Sequence, residues 1–462
     1  MTFNAKKTLM IAVAAAVLAS GAPAQAQQDL LGDPDPDALS QPPAPAGPLT
    51  SVGEALRQIG IDMRLDFVNL YSNAPNFGYK TGQSGNYGFL IFDTTLNLSE
   101  HFKIRWQETV NTPVYNVEDY YFQLANGFFA TLPVLDTATD LTRLTALGVF
   151  LDGNLEIEAG RMNMWPDFFR TEYCAGIGCI AQIRALVLNA PGNTLAEWGG
   201  RVSYNLSPTT VIGAVVTENN PDNWQTGNGW DWGEGNSDGY TAVAHIAQRE
   251  NFMQNPLPLS YEIGAYRSST PYYDALYNPG WGNPTFGPDP IVVQHDGGTN
   301  GIFAQLRKVV WSEPNGTPFP ENIALYGGAF YTFGDGQAYP LEAYAGIEYG
   351  GFWAQNPMTS IGATIHYLGL SQERADYETN ARLFFSGDYD PQPRDTYQID
   401  VHARFGVSKF GILEVGAAYM INPNTTLLAD YSSSRMKDGF VIYAGLYMDL
   451  GTLLGLSKPL MR

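Results

Sequence analysis

The sequence is poor in several things at once. Its 462 residues include two cysteines and five histidines, and only 15% of positions are charged. So few thiols exclude a dense disulfide scaffold or a cysteine-built zinc cage. The two present, Cys174 and Cys179 in "YCAGIGC", read as one disulfide closing a small loop, as expected of a close pair in an exported protein. Basic residues are scarce: 25 Lys+Arg stand against 46 Asp+Glu, a formal charge of −21. No nucleic-acid partner is expected, because phosphates need a basic surface. His101, His245, His295, His366 and His402 are too scattered for an HExxH-type metal site, and neither a GxSxG elbow nor a P-loop occurs. No catalytic residue, metal ligand or cofactor is therefore assigned, and an enzyme is not expected.

Long apolar runs are missing too. The start, "MTFNAKKTLMIAVAAAVLASGAPAQAQQ", has the order of a secretory signal peptide: Lys6 and Lys7, an apolar core from Leu9 to Leu18, then Ala24-Gln25-Ala26. That core is too short to cross a bilayer as a helix. Residues 1–26 are set aside as the signal. Residues 27–49 are Pro-rich and acidic and read as an extended leader. Beyond them no stretch approaches 18 uninterrupted apolar residues, so membrane-spanning helices are not indicated.

What the chain has in quantity is glycine and aromatics: 49 Gly, 27 Tyr, 24 Phe and 9 Trp. It also alternates. In "DGFVIYAGLYMDLG" (438–451) every second residue is apolar: Phe440, Ile442, Ala444, Leu446, Met448 and Leu450. A period of two is an extended strand with two different faces. In "TYQIDVHARFGVS" (396–408), Tyr397, Ile399, Val401, Ala403 and Phe405 oppose Gln398, Asp400, His402 and Arg404. The same pattern recurs at 196–207, 322–334, 342–353 and 359–371. Fainter versions lie near 61–72, 86–98, 101–111, 154–162, 210–218, 239–248, 259–268, 300–311, 411–421 and 424–431. A further candidate, 143–151, would join its neighbour through Asp152-Gly153.

Sandwich strands usually run about five or six residues. A tilted strand crossing a bilayer needs about 9 to 11. Several segments here reach that length, and many apolar faces end in Tyr, Phe or Trp, as interfacial aromatic girdles do. The expected fold is all-β: a transmembrane antiparallel β-barrel over residues 50–450, of 16 strands with 18 as the alternative. Its apolar face sees outer-membrane lipid and its polar face lines water. "SPTT" (207–210), "NPNT" (422–425) and "SKFG" (408–411) read as tight turns on the periplasmic side, whereas 112–142, 163–195, 219–238, 269–299 and 372–395 read as long external loops. "TSVGEALRQIG" (50–60) reads as a short helix capped by Thr50 or Ser51, with Ala55, Leu56 and Ile59 on one side.

The densest polar-aromatic run is "LEIEAGRMNMWPDFFRTEYCAGIGC" (155–179), where Glu156, Glu158, Arg161, Asn163, Asp167 and Arg170 crowd Trp165, Phe168 and Phe169. Sugars are bound by this palette: aromatic faces cover C–H groups, while carboxylates, amides and guanidinium groups hydrogen-bond hydroxyls. A structural loop with packing aromatics is the equal alternative. "NPDNWQTGNGWDWGEGNSDG" (220–239) places Trp224, Trp230 and Trp232 either as a stacking platform at a channel mouth or as packing for a long loop.

The chain resembles the carbohydrate-selective porins of the OprB family. The resemblance is carried by "LRQIGIDMRLDFVNLYSN", "LEIEAGRMNM", "LAEWGGRVSYNLSPTTVIGAVVTENNPDN", "YEIGAYRSS", "GIFAQLRKVVW", "GATIHYLGLS" and "LEVGAAYMINPNTTLLADY", in that order behind a signal peptide. It implies a barrel in the outer membrane of a Gram-negative bacterium, admitting small sugars passively, as a homotrimer or a monomer. It carries over Arg161 and Asn163 of "GRMN", and Trp198 and Arg201 of "EWGGRV", as residues shaping the pore beside Glu158, Trp165 and Asp167. A general, cation-preferring porin and an outer-membrane barrel enzyme or plugged receptor are the competing readings. Such barrels usually end on a strand with a terminal aromatic. Here "GTLLGLSKPLMR" (451–462) follows the last strand, as a periplasmic extension unless that strand ends elsewhere.

Overall fold

The computed structural model describes residues 47–79, 81–116, 138–164, 168, 196–219, 228–230, 232, 237–277, 291–317, 319–408, 410–424 and 434–457. Its first eight barrel strands are β1 (Ile61–Ala74), β2 (Gln83–Asn97), β3 (Phe102–Tyr115), β4 (Ala138–Phe150), β5 (Leu155–Met162), β6 (Glu197–Ser207), β7 (Thr210–Asn219) and β8 (Gly239–Gln248). After β9 (Leu259–Ser268), a small pair, β10 (Tyr272–Tyr273) and β11 (Gln294–His295), stands apart from the barrel. The barrel resumes with β12 (Thr299–Glu313), β13 (Glu321–Phe333), β14 (Leu341–Gly350), β15 (Ser360–Gly369), β16 (Asp395–Ser408), β17 (Gly411–Ile421) and β18 (Gly439–Asp449). Each strand pairs antiparallel with its neighbour, and β1 pairs with β18 from Asp66↔Asp449 to Asn73↔Ile442, so the sheet closes with no free edge.

Closure explains the alternation. Along β12, Ile302 and Leu306 are 51% and 48% exposed, while Phe303 and Gln305 between them are 2% exposed. The exposed set is apolar and the enclosed set carries the polar groups, which inverts a water-soluble protein. In β16 the inward set is Thr396, Gln398, Asp400 and His402, and in β18 the outward set is Phe440, Ile442, Ala444, Leu446 and Met448. Both faces are those expected from the alternation.

Short turns lie at one end: 98–101, 151–154, 208–209, 249–258, 314–320, 351–359 and 409–410. The other connections lie at the opposite end, and all but 75–82 and 334–340 are longer than any of these. The turn after β4 uses Leu151, Asp152 and Gly153 at φ 55°, 56° and 87°, a left-handed run that Asp and Gly tolerate well. At the turn end, helix α1 (Thr50–Gln58) precedes β1. The longest loop helix, α2 (Gln372–Ser386), is capped by Ser371, which accepts from the Arg374 N–H, and ends on Gly387 at φ 78°. A five-residue helix, α3 (Leu450–Leu454), follows β18 and is capped by Asp449, whose side chain accepts from the Thr452 N–H at 2.8 Å.

Three expectations need correction. The barrel contains sixteen strands, but 138–150 is one of them and 424–431 is not: β17 pairs directly with β18, leaving no place between. Residues 425–431 lie outside the described residues. "NPNT" accordingly opens a long connection and is no tight turn. Helix α1 has no side-chain cap at its Leu49 N-cap. Thr50 Oγ1 donates instead to the Gly47 carbonyl at 2.8 Å, and Ile59, just past the helix, is 67% exposed. The stretch after β18 is the α3 helix, which meets α1: Leu49 N donates to Leu454 O at 2.8 Å and Arg57 Nη1 to Leu456 O at 2.9 Å. Gly53 makes this approach feasible, since a Cβ there would sit 2.4 Å from the Gly455 carbonyl oxygen. The two ends of the barrel seam are thus clasped together.

Inside the barrel, large rings lie flat over bare glycines on the next strand. Tyr443 covers Gly416, Tyr326 covers Gly346 and Tyr344 covers Gly328. A Cβ on Gly416 would sit 2.3 Å from the Tyr443 ring. Gly416→Val should therefore destabilise the barrel by about 1–3 kcal/mol, the usual cost of overpacking. Adding Tyr443→Ala should recover part of the loss, read as the temperature at which the folded barrel unfolds in detergent.

The 249–258 turn is organised by Glu250, whose carboxylate accepts from Leu259 N at 2.9 Å, Asn255 Nδ2 at 2.8 Å and Gln248 Nε2 at 2.9 Å. The Leu259 backbone bond, outweighing partial desolvation, holds this carboxyl below the ordinary glutamate range. A depressed value stabilises the fold above the unfolded pKa of about 4.3 and loses that contribution as pH falls through the folded value. Hydrogen-exchange protection across 249–258, taken relative to the intrinsic amide rate at each pH, should fall below about pH 4.3, and Glu250→Gln should remove that loss.

Candidate functional site

The lumen wall of β3–β6 gathers charge onto one buried carboxylate. Glu158, 1% exposed, points inward from β5. Arg201 of β6, directly opposite in register, donates to its Oε2 from Nε at 3.1 Å and Nη2 at 2.8 Å. The same Nη2 reaches Glu156 Oε2 at 3.0 Å, and Nη1 donates to Ser203 Oγ at 3.0 Å. From the other side Arg105 Nη1 of β3 approaches Glu158 Oε2 at 3.5 Å, and Arg143 Nε of β4 lies 3.8 Å from Oε1. Thr145 Oγ1 donates to Oε1 at 2.5 Å. Three guanidinium groups therefore converge on one carboxylate, each from a different strand. A carboxylate this deeply enclosed is tolerable because it is paired and hydrogen-bonded on both oxygens.

The loop after β5 turns into the barrel at this level. Met164 and Phe168 are 0% and 1% exposed and pack in one apolar cluster with Met162 and with the inward-facing Val215 and Val243. The Phe168 ring stands 4.3 Å from that of His245, whose Nδ1 is 2.6 Å from Glu262 Oε1. Backbone carbonyl Asn163 O accepts from Arg143 Nη2 at 3.4 Å, tying the loop's first residue to the charged wall. So the lumen is narrowed beside the Glu158 cluster by chain that enters from the loop end.

Charge pairs continue around the rest of the wall. Arg307 Nη2 donates to Glu348 Oε1 at 2.6 Å, and Arg404 contacts Glu414 Oε2 through Nε at 3.3 Å and Nη2 at 3.0 Å. Arg64 Nε meets Asp66 Oδ2 at 2.6 Å, with Tyr447 donating to the other oxygen at 2.7 Å. Guanidinium donors, carboxylate acceptors and phenol hydroxyls thus line the wall beside apolar clusters such as that of Met162, Phe168 and Val215. Among the described residues no group of three or more His, Cys, Asp or Glu side chains could hold a metal ion.

The residues singled out from sequence divide sharply. Glu158 and Arg201 are together in the lumen, joined by Asn163 at the loop entrance. Arg161 and Trp198 are not in the lumen. They face each other in register on the outer wall, the guanidinium carbon 5.8 Å from the indole centroid, with Trp198 44% exposed. The reason is the pleat: each lies three residues from its inward-facing neighbour, Glu158 or Arg201, and an odd separation reverses the face. Trp165, Asp167, Cys174 and Cys179 lie outside the described residues. Trp230 and Trp232 belong to the loop before β8 and stand against the outer wall, Trp230 Nε1 donating to Glu108 Oε1 at 2.8 Å and Trp232 edge-on to Trp198. For these two, the loop-packing reading holds. Arg105, Arg143 and Thr145 escaped sequence reasoning, because they lie on β3 and β4, away in sequence from Glu158 of β5 and Arg201 of β6, and only the barrel's pairing joins them. Their inward alternation in "FKIRWQE" and "LTRLTALG" was the available signal.

A family model for the carbohydrate-selective porins of the OprB family matches residues 110–448. Porin B of Pseudomonas aeruginosa is 27% identical over 150 residues, covering 31% of this chain and 32% of that protein. The putative porin QuiX of Acinetobacter baylyi is 30% identical over 130 residues, 26% of this chain and 29% of that protein. The aligned stretches thus span about a third of each of these curated relatives. OprB of Pseudomonas putida, solved at high pH, shares the fold with a TM-score of 0.69 over 86% of this chain and 95% of that one, at 17% identity. The chain belongs to the carbohydrate-selective porin, OprB family, whose members are outer-membrane channels and not enzymes.

Removing the central charge gives a direct check on the cluster. Glu158→Gln leaves three guanidinium groups facing one neutral amide, so the reversal potential across a salt gradient should shift toward anions relative to the parent channel. Arg201→Ala should shift it the other way.

Proposed function

We propose that this porin lets small neutral sugars diffuse down their gradient through the water-filled lumen, and that they touch Arg201, Arg105, Arg143 and Glu158 where the inward-folding loop narrows it. The observation that carries this reading is the convergence of three guanidinium groups on the buried Glu158 carboxylate at the level where that loop enters. A pyranose presents hydroxyls that both donate and accept. A guanidinium fork supplies fixed donors and a carboxylate supplies acceptors, so the pair matches a vicinal diol without needing charge on the permeant. Selectivity then comes from pore width and lining hydrogen-bond groups, with no energy input. The two described relatives with porin names support transport as the activity, and the family's description supports carbohydrate as the permeant class.

A general, cation-preferring porin is the second reading, favoured by the formal charge of −21. Single-channel conductance in a planar bilayer, titrated with glucose at fixed salt, separates the two. A sugar porin shows a current that falls saturably with glucose, whereas a general porin's current follows only solution viscosity. Each hydrogen bond to a charged partner is worth about 1.5–3 kcal/mol, so Arg201→Ala should weaken the half-blocking glucose concentration by roughly tenfold or more. An Arg201→Ala channel blocked as well as the parent would remove this cluster from the sugar's path.

A further inference from the structure

One row of the lumen wall brings two buried acceptors together across a bare backbone. Glu348 of β14, Gly362 of β15, His402 of β16, Gly416 of β17 and Tyr443 of β18 pair in register, each beside the next. Large side chains thus alternate with glycines along the row. As the Tyr443 ring covers Gly416, so the His402 ring covers Gly362, where a Cβ would sit 2.5 Å from His402 Nε2. The same Cβ would lie 3.1 Å from the Ile347 carbonyl oxygen of β14, so the imidazole reaches along the row toward the strand that carries Glu348.

Both ends of the row are fixed. Glu348 Oε1 accepts from Arg307 Nη2 at 2.6 Å. At the other end Tyr443 donates to Asp400 Oδ2 at 2.8 Å, and Asp400 Oδ1 lies 2.9 Å from His402 Nδ1. A carboxylate that accepts on both oxygens holds the imidazole in the tautomer whose proton is on Nδ1. His402 Nε2 is then a lone pair, turned toward a carboxylate. Glu348 Oε2 and His402 Nε2 are both closed to solvent, and neither has a hydrogen-bond partner. Buried polar atoms without partners are costly, and two acceptors need a donor. One proton taken up from solution at Nε2 supplies it, as an imidazolium N–H facing the carboxylate.

We infer that His402 and Glu348 form a proton-operated switch of charge in the lumen wall, which sets the ion preference of the channel. Among the described residues, the charged and titratable groups around the pair are Arg307 of β12, Tyr326 of β13, Asp400 and Arg404 of β16, Glu414 of β17 and Tyr443 of β18. Arg404 pairs with Glu414 Oε2 at 3.0 Å. From β15 come Gly362 and Thr364, while its His366 tilts against Tyr344 further along the strand. With a neutral imidazole, Glu348, Asp400 and Glu414 outnumber Arg307 and Arg404. One proton on His402 makes the two signs equal. Wall charge sets which ions a pore favours, so acid should weaken its preference for cations.

The test is ion selectivity against pH with no sugar present, so its outcome is separate from that of the glucose titration. Reversal potentials in a KCl gradient are read in planar bilayers from about pH 8 to about pH 5, the range over which histidine changes charge. The parent should shift toward anions in a step within that range. His402→Gln should lose the step, and His366→Gln should keep it. Glu348→Gln should move the step to lower pH, because the imidazolium loses its carboxylate; a histidine that titrates without this partner keeps its midpoint. A parent with no step, a step retained in His402→Gln, or an unmoved midpoint in Glu348→Gln overturns the proposal. Nitrogen-15 NMR of the histidine-labelled parent gives a second reading that needs no variant. The His402 ring should keep Nδ1 protonated throughout, with Nε2 bare at the alkaline end and protonated at the acid end. A ring with its proton on Nε2 at the alkaline end, or still bare there in acid, overturns it as well.

Discussion

Lipid offers no hydrogen bonds, and everything else in this structure follows from that. An unpaired peptide group in hydrocarbon costs several kcal/mol, so a chain that crosses by strands must pair every strand on both sides. Here the requirement is met by the β1–β18 seam, and both of its ends are fastened beneath the barrel where α1 meets α3. Once the sheet is closed, the period of two in the sequence becomes a radial code. Along each strand alternate positions meet opposite solvents, and a residue's chemistry must fit the side on which the pleat places it.

The enclosed side carries a cost of its own. Charged groups taken from bulk water into a narrow lumen lose hydration, and a lone charge there would be expensive. The wall answers with pairs and small networks: Arg201 with Glu158, Arg307 with Glu348, Arg404 with Glu414. Such pairing leaves enclosed charges with partners instead of alone. Glycines across from large rings serve a related end. By letting Tyr443, Tyr326 and Tyr344 lie against the wall, they keep bulky side chains out of the water path.

Much of this was legible in the sequence, and the errors are physical. The faces of β16 and β18 followed from simple alternation, and the strand count emerged as sixteen. That count was reached by two errors that cancel. β4 is hard to read because Thr142 is an extra residue in its pairing with β3, which slips the alternation in "TDLTRLTALG". "NTTLLADY" has strand composition but no partner left in the closed order. At the site, Glu158 and Arg201 were found because each strand's polar face is readable alone. Arg105 and Arg143 were not, because their convergence is a property of pairing across strands. Arg161 and Trp198 were carried over to the pore from the family resemblance, although an odd spacing from Glu158 and Arg201 places them on the other face.

Under the proposed function the enclosed polar face is an open aqueous path lined for small sugars. Osmotic swelling of liposomes carrying the purified protein tests it most directly. Swelling should be fast in glucose, slower in a disaccharide than the difference in diffusion coefficients explains, and without that discrimination in Glu158→Gln/Arg201→Ala. Swelling rates that track molecular size alone in both proteins, or no swelling at all, would contradict it.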